Sequence, residues 1–268
     1  MDFDIVAFMD KRKNETKIKL SDKGIQELPE GLFDHCTNLK ELDLSHNQII
    51  SLPPGLLDHC PNLEMLNLNE NQIQEIPPSL LDHCSKLKLL FLVGNKLQTI
   101  PPGLFNHNIN LKTICLNENR IQSLPPNIFD CSNLDTLCLK ENRIEEIHPG
   151  SFDHCPNLKW LFLEYNQIRE IPSGLFDQCP ELKWLFLEYN QIREIPSALF
   201  NQSAKLDWIN LNGNQIHEIP DGLFDSCVSL KRLFMVGNKI KSIPLNLFVH
   251  TKLKDMKIND INNRIENV

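Results

Sequence analysis

The chain has 268 residues, which is ample length for a sizeable hydrophobic core. Its formal net charge of −8 disfavours a nucleic-acid surface or an anionic membrane surface and mildly favours a basic partner. No apolar run is long enough for a transmembrane helix, and the acidic start lacks the basic region of a signal peptide.

An apolar cluster comes first in the chain. Phe3, Ile5, Val6, Phe8 and Met9 fall together within the first fifteen residues. A stack of repeated units exposes its core at both ends, so each end needs a covering segment. We therefore predict that residues 1–15 form an N-terminal cap.

Asparagine then recurs every 24 residues, with a single interval of 23 between Asn119 and Asn142. The recurring asparagines are Asn47, Asn71, Asn95, Asn119, Asn142, Asn166, Asn190, Asn214 and Asn238. Each ends the pattern L-x-x-L-x-L-x-x-N, in which Ile or Met sometimes replaces Leu, and a segment of the type x-I-x-x-I-P follows. Such a period is typical of a repeat architecture.

This pattern resembles the leucine-rich repeat family in its 24-residue typical subclass. The resemblance implies an α/β-type repeat solenoid, a right-handed horseshoe with a concave parallel β-sheet and an irregular or 3₁₀ convex side. Residues 16–261 would form about eleven turns. The first and last turns are looser, because Lys23 and Ile261 stand where the asparagine is expected.

Physical chemistry supports the same fold independently. The L-x-L segment alternates apolar and variable residues, as in a strand with one buried face. A strand every 24 residues, with a returning segment between, requires parallel pairing. The asparagine can satisfy backbone groups where the chain leaves the strand, and stacked copies can bond to one another. Proline then ends the pairing at the next corner.

The returning segments supply the second wall of the predicted core. A Phe or Leu before an Asp, and the Cys three residues later, should both point inward. At the far end, Ile261, Ile265 and Val268 have helical spacing, so we predict that residues 262–268 form a C-terminal cap.

The cysteines indicate reduced thiols. There are nine, an odd number, and seven recur at equivalent repeat positions, which favours packed thiols in a reducing compartment. In the His-Cys pairs, the cysteine should point inward and the histidine outward, so we expect no metal site and no cofactor. Cys115 and Cys138 should face the concave side on adjacent strands, either as a pair that can be oxidised or as small surface residues.

Residues 158–173 and 182–197 are identical, both reading LKWLFLEYNQIREIPS. The copy extends to the variable positions, which face the concave side because strand side chains alternate. The candidate partner-binding residues are Trp160, Phe162, Glu164 and Tyr165 of the first copy, Trp184, Phe186, Glu188 and Tyr189 of the second, and Trp208, Phe234 and Phe91 elsewhere.

Two interpretations of these residues compete. The aromatic side chains could simply pack on each other. An uncovered apolar patch rich in Trp and Tyr instead favours binding. Glu164 and Glu188 should lie side by side, with Lys140 offsetting only the first; either both are solvated, or a partner's Lys or Arg relieves their repulsion. A flat sheet gives no reason to raise the pKa of either carboxyl, so no catalytic pair is predicted.

The predicted function is a non-enzymatic protein–protein interaction module that binds a protein or peptide on its concave aromatic and acidic face. We expect a partner with a basic or apolar surface, no nucleic acid, no membrane, a monomeric state and a cytoplasmic location. Two alternatives stay open through resemblance to other family members. One is an inhibitor or regulatory subunit of an enzyme. The other is a bacterial effector secreted into the cytosol of a host cell.

Overall fold

The computed structural model describes residues 3–258 and is a solenoid built from stacked turns. Each turn contributes one short strand, and eleven strands pair in parallel, in chain order, in a single sheet. The strands are β1 (Lys17–Lys19), β2 (Glu41–Asp43), β3 (Met65–Asn67), β4 (Leu89–Phe91), β5 (Thr113–Cys115), β6 (Ser123–Leu124), β7 (Thr136–Cys138), β8 (Glu146–Ile147), β9 (Trp160–Phe162), β10 (Trp184–Phe186), β11 (Trp208–Asn210), β12 (Arg232–Met235) and β13 (Asp255–Ile258).

From β1 to β12, each strand of the large sheet buries its second residue and presents the residues on either side of it on the other face. In β2, for example, Leu42 is fully buried while Glu41 and Asp43 are partly exposed. This is the alternation that the L-x-L pattern predicts. In β13 the equivalent residue, Met256, is only partly buried. Within residues 3–258, no helix is long and apolar enough to span a lipid bilayer.

The repeated asparagines join neighbouring turns. The Asn190 side-chain nitrogen donates to the carbonyls of Leu163 and Leu187, both at 3.0 Å, and its oxygen accepts from the Ile168 N–H at 3.0 Å. The predicted backbone role of asparagine is confirmed. The bonds between turns nevertheless run from side chain to backbone, not from one asparagine to the next as the sequence suggested.

The opposite wall of the core is a ladder of phenylalanines, which we call the core ladder. Its rings stack along the solenoid with centroids 5.8–6.4 Å apart. The members are Phe105, Phe129, Phe152, Phe176, Phe200, Phe224 and Phe248. All but the last are almost completely buried, which confirms that these positions point inward.

The returning segments consist of successive tight turns. The Asp177 N–H bonds the Gly174 carbonyl at 2.9 Å, and the Cys179 N–H bonds the Phe176 carbonyl at 3.0 Å. Gly174 has a φ of +72°, which interrupts any continuous 3₁₀ geometry. Irregular structure is therefore confirmed on this side, and no 3₁₀ helix occurs among residues 3–258.

A short helix, α1 (Ile5–Met9), precedes the first strand. The Asp4 side chain accepts from the Ala7 N–H at 2.9 Å, which caps the start of the helix. Ile5 and Met9 are buried and join the core, so α1 lies where the predicted N-terminal cap should be. The predicted C-terminal cap, residues 262–268, falls outside the described residues.

A second, two-stranded parallel sheet pairs β6 with β8. It lies beside the turn with the 23-residue interval, and Pro125 and Pro149 follow its strands closely. The His148 N–H extends the pairing by donating to the Leu124 carbonyl at 2.9 Å. The repeat pattern in the sequence does not predict this sheet.

Candidate functional site

The duplicated segments place their variable side chains in register on β9 and β10. Trp184 pairs with Trp160, and Phe186 pairs with Phe162. On the next strand Trp208 continues the tryptophan row. We call these five residues, Trp160, Phe162, Trp184, Phe186 and Trp208, the aromatic shelf.

The tryptophan row is continuous, and its rings meet edge to face. The Trp160 and Trp184 centroids are 6.1 Å apart at 68°, and those of Trp184 and Trp208 are 5.9 Å apart at 66°. Arg232 lies 4.1 Å from the Trp208 centroid and bonds the Asp207 carboxylate at 2.8 Å. The row is therefore held rigidly, and all three tryptophans remain partly exposed.

Phe186 does not lie on the open surface that the sequence predicted. It is only 9% exposed, because its ring stacks on Phe162 at 5.2 Å and is covered at its edges by Trp184 and Trp208 at 6.4 and 4.8 Å. Phe186 therefore supports the tryptophans from beneath. The shelf therefore contains both a buried ring, Phe186, and partly exposed tryptophans.

A tyrosine pair, Tyr165 and Tyr189, lies just beyond the C-terminal ends of β9 and β10. The rings stack at 4.6 Å and 20°, and the residues are 46% and 51% exposed. Both have left-handed backbone, with φ of 57° and 56°, which is uncommon for a bulky side chain. The Tyr189 ring lies over Gly213, where an added Cβ would stand 2.6 Å from the tyrosine Cδ1.

A carboxylate pair, Glu164 and Glu188, follows the Phe162 and Phe186 row and directly precedes the tyrosine pair. Both glutamates are partly buried, and one oxygen of each is enclosed without a hydrogen-bond partner. Burial raises the pKa of Glu188 to about 7, with Glu164 adding repulsion and Asn210 opposing the shift through a hydrogen bond. Burial also raises the pKa of Glu164. The expectation that a flat sheet leaves these pKa values unchanged is wrong, because the neighbouring aromatic rings exclude water.

Lys140 compensates this negative charge only in part. Its ammonium forms an ion pair with Glu141 at 3.0 Å and lies 5.5 Å from the Tyr165 centroid. Lys140 still lowers the pKa of Glu164 through space, against the larger effect of burial. The carboxylate pair thus keeps unmet capacity to accept a cation.

The two remaining candidates stand apart from the duplicated segments. Phe234 on β12 meets the Trp208 ring edge to face at 6.0 Å, so it extends the shelf as predicted. Phe91 does not join it, because Cys115 and Cys138 occupy the two strands between Phe91 and Phe162.

Possible metal ligands do not cluster among residues 3–258. No group of three His, Cys, Asp or Glu side chains there is placed to hold a metal ion. In the His-Cys pairs the cysteine is buried and the histidine exposed, as predicted, for instance at His35 and Cys36.

Sequence reasoning missed a groove of about 710 Å³ beside the two-stranded sheet. Residues 123–126, 145–149 and 169–172 line it. An ion pair between Glu145 and Arg169 at 3.1 Å crosses this region. The signal that marks its position is the single 23-residue interval.

Comparisons with known proteins agree with this geometry. Nine overlapping segments, from residues 16–73 to residues 204–264, match the leucine rich repeat family. A TLR13–ssRNA13 complex contains a similar chain with 24% identity and a TM-score of 0.82; the match covers 94% of this chain and 41% of that one. This protein therefore spans less than half the length of that chain.

A second similar structure is an octameric complex of Latrophilin 3, Unc5D and FLRT2, the last represented by its leucine-rich repeats. The identity is 25% and the TM-score is 0.76, with 92% of this chain and 82% of that chain covered. A comparison with curated proteins finds no match.

Proposed function

Because the chain belongs to the leucine-rich repeat family, we propose that it is a non-enzymatic module that binds a protein partner on its concave sheet face. The observation that carries this proposal is the carboxylate pair enclosed by aromatic side chains on the duplicated strands. Framework positions explain the repeat, but they do not explain why Trp, Phe, Glu and Tyr recur together in two adjacent turns. A common binding surface built from both turns does explain it.

The chemistry of the site favours a partner with a Lys or Arg beside apolar side chains. Glu164 and Glu188 are both partly exposed side by side on the sheet face, so a cation in front of them would gain two carboxylates at once. Tyr165 and Tyr189 are about half exposed beside the carboxylates, and the face of a Tyr ring attracts a cation. The tryptophan row would bury the adjoining apolar part of the partner.

Similar structures make a protein partner reasonable. FLRT2 is part of a complex with Latrophilin 3 and Unc5D, so leucine-rich repeats of comparable length assemble with other proteins. TLR13 is in complex with single-stranded RNA. For this chain, the net charge of −8 and the carboxylate pair favour a basic protein surface over a polyanion.

The site should bind more tightly as pH rises through about 7, because Glu188 must lose its proton to attract a cation fully. Binding should release a proton in the range where free Glu188 is still protonated. A single titrating group changes affinity by at most about tenfold for each pH unit.

A displayed library of random peptides tests the proposal. Selection at pH 8 against the wild-type chain should enrich peptides that combine Lys or Arg with aromatic or aliphatic residues. Those peptides should lose binding to the Trp160→Ala, Trp184→Ala and Trp208→Ala triple variant. A matched triple variant on β3 and β4, Met65→Ala, Leu89→Ala and Phe91→Ala, should retain it.

Two results would refute the proposal. One is peptides that bind both triple variants equally well, which would place binding elsewhere. The other is an enriched set dominated by acidic peptides. Circular dichroism and the melting temperature of each variant show whether the solenoid is still folded, so a loss of binding can be assigned to the surface.

The roles of enzyme inhibitor, regulatory subunit and host-directed effector stay predictions of the sequence, as do the monomeric state and the cytoplasmic location. Each would use the same face. An inhibitor differs in abolishing the activity of the enzyme it binds, and an effector differs in being translocated into a host cell.

A further inference from the structure

Two of the nine cysteines differ from the others. Seven are buried at framework positions, whereas Cys115 and Cys138 are partly exposed on the sheet face. These two are direct partners in the parallel ladder between β5 and β7. The exposed thiols therefore form one pair on adjacent strands.

The spacing of this pair suits a covalent bond. Neighbouring strands are ~4.8 Å apart, within the ~4.4–6.8 Å Cα separation that disulfides span. Both side chains lie on the same face, because both residues alternate with buried neighbours, Ile114 and Leu137. No movement of one strand relative to the other along the sheet is needed to bring the sulfurs together.

The two thiols also interact directly and unequally. A side-chain hydrogen bond from Cys138 lowers the pKa of Cys115, against the opposing effect of burial. The pKa of Cys138 is raised by the same hydrogen bond, by burial and by the nearby negative charge of Glu164. Cys115 is therefore the better thiolate, and Cys138 is the thiol that holds the proton.

The surroundings leave the pair accessible. Phe91 and Phe162 flank the thiols in the same cross-strand row, and Thr113 and Thr136 are the preceding pair on the two strands. These neighbours are themselves only partly buried, so a small peptide can approach from the sheet face. The framework thiols have no such approach, and burial raises the pKa of Cys60, Cys84, Cys131, Cys179 and Cys227 to about 12.

We propose that Cys115 and Cys138 form a reversible disulfide by exchange with a small disulfide, of which oxidised glutathione is the probe. The Cys115 thiolate attacks one glutathione sulfur, the glutathione disulfide bond breaks, and one glutathione leaves as a thiolate. Cys138 then loses its proton to solvent and attacks the Cys115 sulfur. The protein disulfide forms, the second glutathione leaves, and both released thiolates take up protons as their own pKa requires.

This inference is independent of the proposed binding function, because it concerns strands β5 and β7 and not the aromatic shelf. Disulfides prefer a Cβ separation of ~3.5–4.5 Å, which is shorter than the strand spacing. The bond should therefore draw the two strands together slightly and should be reduced readily by dithiothreitol.

The test incubates the native full chain with oxidised glutathione, quenches with acid, and alkylates the remaining thiols after unfolding. Trypsin should release Cys115 within residues 113–120 and Cys138 within residues 121–140. Mass spectrometry should find these peptides joined, with a mass lower by two hydrogen atoms. Fragmentation must assign the link to Cys138 and find Cys131, in the same peptide, alkylated.

Two single variants complete the experiment. In Cys138→Ser, Cys115 should accumulate a stable mixed disulfide with glutathione, because no second thiol resolves it. In Cys115→Ser, Cys138 should react at least tenfold more slowly. The melting temperature of each variant confirms folding, since serine and cysteine are similar in size.

Three outcomes would overturn the proposal. The wild-type chain could stay fully alkylated under conditions in which the unfolded chain is oxidised. It could carry glutathione on both cysteines without an intramolecular bond. It could also link Cys131 or another framework cysteine in place of Cys138.

Discussion

Two aromatic ladders run along this solenoid, and they differ in what they do. The core ladder places one Phe in each of seven consecutive turns and is buried almost throughout. The aromatic shelf lies only on β9, β10 and β11, and all its members except Phe186 remain partly exposed. Neighbouring rings touch in both ladders, face to face in the core ladder and mostly edge to face in the aromatic shelf. Ring contact alone therefore does not separate a scaffold from a binding surface.

What separates the ladders is how widely each side chain recurs. A residue that every turn needs, such as Phe176, belongs to the framework of the repeat. A residue that only neighbouring turns share, such as Trp184, is better explained by a binding partner that contacts those turns together. The four predictions below test this difference, beginning with the largest effect.

Phe176→Ala should remove about 3–5 kcal/mol from the free energy of unfolding, because it opens a cavity in the middle of the core ladder. Denaturant titration followed by circular dichroism measures the loss. Trp184→Ala is the matched control on the sheet face, where about 1 kcal/mol is expected for a partly exposed aromatic pair. Equal losses in the two variants would contradict the distinction between the ladders.

Asn190→Ala should cost about 2–3 kcal/mol, since it leaves the buried Ile168 N–H without its partner and removes one bond from each of the Leu163 and Leu187 carbonyls. Those carbonyls keep their bonds from Asn166 and Asn214. The exposed Asn201 provides the control, because its substitution by alanine should change the unfolding free energy by less than about 0.5 kcal/mol. A small loss at Asn190 would show that water replaces the side chain easily.

Gly213→Ala should cost about 1–2 kcal/mol through left-handed strain and should also displace the Tyr189 ring. Gly24→Ala is the control, since Gly24 has a similar φ of +66° but an added Cβ there meets nothing within 4 Å. Both variants should lose stability, and only Gly213→Ala should weaken peptide binding. Unchanged binding would remove the tyrosine pair from the site.

Glu188→Gln should raise the unfolding free energy at pH 8 by about 1 kcal/mol and leave it unchanged at pH 4, since glutamine resembles the protonated acid. The pKa of Glu188 is raised to about 7 on folding, so the folded wild type binds more protons than the unfolded chain between the ordinary glutamate range and pH 7. Its stability therefore falls as pH rises through that window and then levels off.

The exposed Glu194→Gln is the control for this pH series. It should change the unfolding free energy by less than about 0.5 kcal/mol. If Glu188→Gln behaves like Glu194→Gln, the carboxylate pair is solvated in solution, and its proposed role in attracting a cation loses its support.

The sequence predicted the repeat, the parallel strands and the inward positions, because each depends on a residue that recurs in every turn. Asn190 and Phe176 are recognisable by their spacing alone. The same spacing predicted correctly that Trp160, Trp184 and Trp208 lie side by side. The features that the sequence did not predict depend on the side-chain conformations that form once the strands are paired.

Phe186 shows which feature of the site the sequence could not predict, namely the burial of a side chain on the sheet face. Its position on the sheet face was correct, but its burial follows from the rings of Trp208 and Trp184 leaning over it. The raised pKa of Glu188 has the same origin, since it needs the final packing of the neighbouring rings. The two-stranded sheet of β6 and β8 depends on backbone geometry at the shortened turn, which a one-residue deletion marks but does not specify.

One paired measurement decides whether the aromatic shelf is a binding surface or part of the scaffold. The melting temperature and the affinity for a selected peptide are measured on Trp184→Ala and on Phe176→Ala, with both variants folded at the binding temperature. Trp184→Ala should weaken binding by about 2 kcal/mol or more while melting close to wild type. Phe176→Ala should melt well below wild type and still bind. If Trp184→Ala binds normally, or if both variants lose binding and stability together, the aromatic shelf is part of the scaffold and not a binding surface.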